Sequence, residues 1–475
     1  MQERLRALPY YPWLIFGVTV MGTFMAVLDS SIVNVALPII ATNLHIELPI
    51  AQWVISAYLL MITILLPVFG KMGDMYGRRK IFLSGFIIFT IGSLMCGLSS
   101  TIWYLVAARV VQAVGASMLM SNSPAIISAT FPGKERGRAL GMIGTVVALA
   151  SMIGPSLGGI LVGVFSWQSI FYINLPIGFI ACFLGYFILP AEEKCQQGLF
   201  DVRGAILFAV GMTGFLLVLM NGYEWGWSSC CVISISIATT VLLSLFVWYE
   251  NRRKQPMIEM SLFKHWPFLA GTISGLLSFI AMFSNSILLP FYLHSILLLS
   301  PTEIGLAITP FPLLMAITAP ISGYLSERIS PVILTSAGLT IMMTGILYLA
   351  TMDGHSLIWQ IMIGQGVIGF GNGMFQSPNN NSVLSSVPKE KVGLASGISA
   401  LMRNVGMVSG TAITVSIFES TRQLEVSKMI PGDPLGYTNA FLVAYHTALV
   451  IGACFAGLAA LLSLSRKGHA ILKHS

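Results

Sequence analysis

Three residues in this 475-residue chain, Asp29, Arg109 and Arg403, carry charge in stretches that are otherwise apolar. Asp29 lies in the segment Leu28–Pro38, LDSSIVNVALP, and no other charge falls between Trp13 and Ile40. Arg109 lies in a second such stretch, residues 102–124. An aspartate near the centre of a membrane helix costs about 2.5–3.5 kcal/mol, so an acid placed there faces a cavity or a partner. Counted from the same side of the membrane, Asp29 and Arg109 sit at similar depth, roughly ten and seven residues in. Pairing, directly or through water, is the economical arrangement. Burial disfavours the ionised carboxylate and a neighbouring guanidinium favours it, so a small rearrangement switches the acid between its two forms near neutral pH. The chemistry on offer is reversible proton binding. The alternative is a permanent structural salt bridge.

The elements that must position these residues follow from composition. Hydrophobic residues make up 56% of the chain and charged residues 9%, against roughly a quarter in soluble domains. The expected class is an all-α integral membrane protein. With about 20 apolar residues per span, the chain divides into fourteen transmembrane helices. They run over 12–39, 51–71, 81–99, 102–124, 138–163, 169–189, 204–221, 229–249, 267–293, 303–325, 331–351, 356–386, 393–418 and 439–465. Short loops leave no room for a soluble domain. Of the 25 lysines and arginines, Arg422 and Lys428 alone fall in loops on one side, and Arg109 and Arg403 fall within spans. All the others, Lys71, Arg78, Arg79, Lys80, Arg252, Arg253, Arg328 and Arg466 among them, fall on the opposite side. By the positive-inside rule that side is cytoplasmic and holds both termini. The net charge of +7 is thereby explained by the bilayer, with no nucleic acid needed.

The chain also repeats itself. At an offset of 256 residues Gly115 falls on Gly371, Met118 on Met374, Pro132 on Pro388 and Gly154 on Gly410. At offsets of 252–253, Pro38 falls on Pro290, Pro67 on Pro320 and Asp74 on Glu327. The order suggests a six-helix bundle over residues 1–190, an inserted helix pair with its linkers over 191–265, and a second bundle over 266–475. Parallel halves enclosing a midplane site are a transporter architecture. Asp29 maps onto Ala281, so the acid is not duplicated.

At this level of detail the chain resembles the major facilitator superfamily, in particular its fourteen-span drug:proton antiporters. LDSSIVNVALP and WVISAYLL (Trp53–Leu60) are similar to the first- and second-span patterns. GKMGDMYGRRK, Gly70 to Lys80, is similar to the cytoplasmic loop motif, with Gly70, Asp74, Gly77, Arg78 and Arg79 in place. RVVQAVGA carries Arg109 and Gln112, with Ala113 where the family often has glycine. GPSLGG, with Gly154, Pro155, Gly158 and Gly159, is similar to the antiporter motif, although its usual upstream glycine is Ala150 here. IFYINLPIG (Ile170–Gly178) and FDVRG (Phe200–Gly204) also resemble fourteen-span members.

The resemblance implies a multi-pass protein of a bacterial cytoplasmic membrane that exports amphipathic small molecules in exchange for protons. Asp29 and Arg109 would couple the proton, and Asp74 with Arg78 or Arg79 would form a latch at the cytoplasmic side rather than a mere positive anchor. The glycines and Pro155 weaken one helix as a hinge or flatten it for packing. Asn34, Trp53, Tyr58, Gln112, Tyr292 and Arg403 are the candidate lining of a substrate cavity, the aromatics alternatively being packing residues. Gln376–Ser382 solvates a gate or lines it, and His446 is the histidine to test. One acid within the spans favours monocationic, zwitterionic or neutral cargo. The expected unit is a monomer. The six cysteines lack metal or disulfide spacing, and no nucleotide, cofactor or nucleophile motif argues for an enzyme. A facilitator or dedicated metabolite or lipid exporter, and a non-transporting membrane sensor, are the competing readings.

Overall fold

The computed structural model describes residues 10–131, 133–190, 201–253, 259–326, 328–388, 392–428 and 434–471. Arg4, Arg6, Lys194, Cys195, Phe200, Lys254, Glu327, Lys389, Lys391 and Lys473 lie outside them, so the second copy of the Asp74 position does too. The described residues form helices and no strand. The first group is α1 (Tyr11–Asn43), α2 (Leu48–Ala51), α3 (Trp53–Tyr76), α4 (Arg78–Gly97), α5 (Ile102–Thr130), α6 (Gly133–Val164), α7 (Ser169–Tyr172) and α8 (Asn174–Ile188). Then come α9 (Val202–Trp225) and α10 (Cys230–Glu250). The last group is α11 (Trp266–Ser295), α12 (Pro301–Ile308), α13 (Pro310–Leu325), α14 (Pro331–Leu349), α15 (Ile358–Ser385), α16 (Val392–Ser427) and α17 (Pro434–Ile471).

Twelve stretches among the described residues are helical, long and apolar enough to cross a membrane. Of the other two expected spans, α6 contributes a shorter apolar stretch among the described residues, Leu149–Val164, and α15 is a long helix of lower apolarity that carries Gln360, Gln365, Asn372, Gln376 and three consecutive asparagines. At 33 residues α1 measures about 50 Å, longer than a hydrocarbon core of about 30 Å. Proline sets where two expected spans break. Pro310 separates α12 from α13, and Pro176, in the first turn of α8, has no N–H for the carbonyl of Tyr172. Gly77 turns α3 into α4 at φ +100°, a conformation that a side chain resists.

Helices α1 to α8 pack mainly on one another, and so do α11 to α17. Helices α9 and α10 pair together, and α9 leans on both α16 and α3. Much of the outward surface is apolar, including Phe179, Phe183, Tyr186, Ile237, Trp248 and Leu461, as a lipid-facing wall requires. The core runs through both halves and places α1, with Asp29, among α5, α6 and α8.

Candidate functional site

Asp29 is 1% exposed and Arg109 is fully buried, and the two form an ion pair through Asp29 Oδ2 and Arg109 Nη1. The other carboxylate oxygen, Oδ1, accepts from Gln112 Nε2 at 2.8 Å and from Asn174 Nδ2 at 2.9 Å. Gln112 lies three residues after Arg109, on the same face of α5, and its Oε1 accepts from Arg109 Nη1 at 2.5 Å. Its Nε2 also donates to Ser93 Oγ on α4 at 2.7 Å. Arg109 Nε donates to the Val54 carbonyl at 3.0 Å, and the Tyr58 ring centre lies 3.9 Å from the guanidinium carbon. Charge-assisted bonds of this kind are about twice as strong as neutral ones, and the dry surroundings strengthen them further. The arrangement surrounds one buried carboxylate with three hydrogen-bond donors.

A second set of contacts joins the two halves toward the helix ends that carry Asn43, Val164 and Pro301. Asn34 Nδ2 donates to Ser286 Oγ at 3.1 Å, Ser156 Oγ meets Thr309 Oγ1 at 2.5 Å, and Thr302 Oγ1 donates to the Gly159 carbonyl at 3.4 Å. Here α6 and α12 touch through backbone. A Cβ on Gly159 would collide with the Pro301 carbonyl, and one on Gly305 would collide with the Pro155 carbonyl. Gly154 and Gly158 pack instead on Ser31 and Ile32 of α1, two turns or fewer from Asp29. One glycine-rich face of α6 thus touches the other half while a second touches the helix that bears the acid.

The family model described as Major Facilitator Superfamily matches residues 19–411 and 271–470. The chain belongs to the major facilitator superfamily. It is 36% identical to the riboflavin transporter RibZ of Clostridioides difficile over 96% of this chain and 98% of that protein. It is 33% identical to the multidrug resistance protein Stp of Mycobacterium tuberculosis, over 88% of this chain and 78% of that one. It is 30% identical to the tetracenomycin C resistance and export protein of Streptomyces glaucescens, over 85% and 75%. Among solved structures, a bacterial homologue of the human lysosomal transporter Spinster shares the fold at a TM-score of 0.66 and 15% identity, covering 97% of this chain and 98% of that one. As a superfamily member with twelve apolar helices among its described residues, the protein is a multi-pass transporter of a bacterial cell membrane.

Within this major facilitator fold the other expected site residues separate into groups. Tyr58 and Gln112 are fully enclosed in the Asp29 network. Trp53 and Asn34 are half-buried, and Asn34 meets Ser286 of the other half. Tyr292 is buried, stacks on Tyr445 with ring centres 4.8 Å apart, and donates to the Asp353 carbonyl at 2.5 Å. Arg403 is half-buried and makes no hydrogen bond or ion pair among the described residues. In the loop motif Asp74 pairs with Arg78 at 2.7 Å, the side chains being 36% and 30% exposed. Arg79 instead donates to the Tyr186 carbonyl at 2.6 Å. His446 Nε2 meets the Met352 carbonyl at 2.7 Å.

Three participants escape sequence reasoning. Asn174 and Ser93 join the Asp29 network, and a polar amide inside the apolar run Ile170–Gly178 was the available signal for the first. The third is Arg466, which charge counting assigned to the cytoplasmic side without a role. It is only 4% exposed and donates to Asn379 Oδ1, Thr335 Oγ1 and Ser463 Oγ at 3.1, 3.3 and 2.6 Å. Asn379 in turn donates to the Gly271 carbonyl at 3.1 Å, so part of the polar run in α15 fastens helices together.

Proposed function

We propose that this chain is a fourteen-span exporter of amphipathic small molecules, driven by inward-moving protons and working by alternating access between two six-helix halves. The observation that carries this reading is the Asp29–Arg109 pair, a buried titratable carboxylate within a superfamily whose members here include named multidrug and metabolite transporters. In this reading Asp29 binds the proton, Arg109 and Gln112 compete with that proton for the carboxylate, and Tyr58 supports the guanidinium from below. The basic end that includes Lys71 and Arg78–Lys80 faces the cytoplasm with both termini, and the Asn34–Ser286 and α6–α12 contacts close the outer end. The Asp74–Arg78 pair, exposed and individually weak, serves as a contact that breaks and reforms. A proton falling through 100 mV releases about 2.3 kcal/mol, enough for a roughly fortyfold gradient of a neutral compound.

Cargo with at most one positive charge is favoured, because Asp29 is the one acid within the first-half spans read from the sequence. The RibZ relationship favours a second reading, a dedicated flavin exporter with the same coupling. The experiment uses purified full-length protein in detergent, titrated with ethidium or riboflavin while released protons are measured. Release by the wild type that disappears in Asp29→Asn supports coupling; release unchanged in that variant overturns it. Reconstituted vesicles then separate exporter from facilitator, since a facilitator moves either compound downhill with no response to a pH gradient.

A further inference from the structure

Asp29 takes two of its three donors, Arg109 and Gln112, from a single helix, α5. The third arrives by a different route. Asn174 is the first residue of α8, just past the break that Pro176 imposes between α7 and α8. This elbow is tied down at three places. Ser169 Oγ donates to the Leu161 carbonyl in the last turn of α6 at 3.2 Å, Tyr172 Oη donates to the Gly97 carbonyl of α4 at 2.7 Å, and the Phe171 ring lies 5.8 Å from the Arg109 guanidinium carbon. The same last turns of α6 meet the opposite half, where Thr302 bonds Gly159 and a Cβ on Gly163 would lie 2.7 Å from Thr302 Oγ1. An unbroken set of contacts therefore runs from α12, along the end of α6, through the elbow, to the carboxylate. The Asn174 Oδ1 atom is buried and takes no hydrogen bond, so this side chain is held there by its bond to Asp29 alone.

We propose that Asn174 is a positioning residue for the acid, and that the α7–α8 elbow is the cover whose lifting exposes Asp29 when the halves part at this end. The proposal rests on the proton-coupling reading and adds how inter-half movement reaches the carboxylate. The groups facing Asp29 are Arg109, Gln112 and Asn174, with Tyr58 on α3, Ser93 and Cys96 on α4 behind them; Arg109 is the only one charged. While the elbow is docked the carboxylate keeps all three donors and is shielded. Once it lifts, one donor leaves and a proton competes on better terms.

The test is labelling of Asp29 by dicyclohexylcarbodiimide, which reacts with a protonated, reachable carboxyl, followed across pH by mass spectrometry on the full chain in detergent. Asn174→Leu keeps the volume and removes the donor. Its half-labelling pH is expected to rise by about one unit, a tenfold change in proton competition. Asn174→Ser, which keeps a donor, recovers part of that shift, and Asp29→Asn abolishes the label. A half-labelling pH unmoved in Asn174→Leu, whatever its melting temperature, overturns the proposal, as does an Asp29 that never reacts. If the shift appears while neither ethidium nor riboflavin releases protons, the elbow's role stands and the coupling reading fails.

Discussion

Each half of the molecule buries one arginine in a polar network, and the two networks are built differently. In the first half Arg109 meets a carboxylate, and the amides around it divide their bonds between the two charges. In the second half Arg466 meets only neutral oxygens, those of Asn379, Thr335 and Ser463, which tie α14, α15 and α17 together. Guanidinium does not give up its proton in the working range, and its neutral partners do not titrate there. The second network is therefore a fixed fastening. The first holds a carboxylate, so under the proposed coupling its geometry differs between a protonated and an ionised state. The sequence repeat places Ala281 at the position equivalent to Asp29, so the carboxylate–guanidinium pair of the first half has no counterpart at that position in the second.

Asp29→Asn breaks this contrast most completely: gradient-driven accumulation of ethidium or riboflavin in vesicles is expected to vanish while the protein stays folded. Next comes Arg109→Ala, which strands a buried carboxylate. Losing one member of such a pair costs about 3–5 kcal/mol, read as a fall in melting temperature, and Asp29→Asn in the same chain should restore much of it. Arg466→Met leaves neutral oxygens unmet at about 1–3 kcal/mol. It should lower the melting temperature while leaving the pH profile of transport in place, and a shifted profile would show that the second half titrates after all. Asp74→Asn is the smallest, with an exposed pair worth at most about 1 kcal/mol, so a melting temperature within a degree or so of the wild type is expected. Outside the spans, the backbone N–H of His355 and then the Ser356 hydroxyl hold the Asp353 carboxyl below its ordinary range. Its contribution to the loop is thus present above that range and lost only as pH falls through the lowered value. Asp353→Asn should leave the transport profile between pH 5 and 8 unmoved.

Apolar length and the distribution of lysine and arginine are one-dimensional quantities, and the helices and the isolation of Asp29 and Arg109 could be read from them, whereas the breaks near Pro310 and Pro176 fall inside spans read as continuous. Lower apolarity made α15 the hardest helix to read, because its asparagines and glutamines lie inside a helix that other helices cover. A similar limit applies to Arg466: charge counting gives a side of the membrane, and whether a cation at the end of an apolar run is exposed or buried depends on its neighbours in space. Tyr58 and Gln112 illustrate the limit from the other side, since residue type suggested a cavity wall and packing enclosed them with the acid. The sequence by itself determined which groups are charged and roughly how deep they lie, because the bilayer penalises every misplaced charge along the chain. Only the tertiary structure decided that Asn174, 145 residues away, completes the carboxylate's set of donors, because a hydrogen bond depends on a few tenths of an ångström and on which helix faces meet.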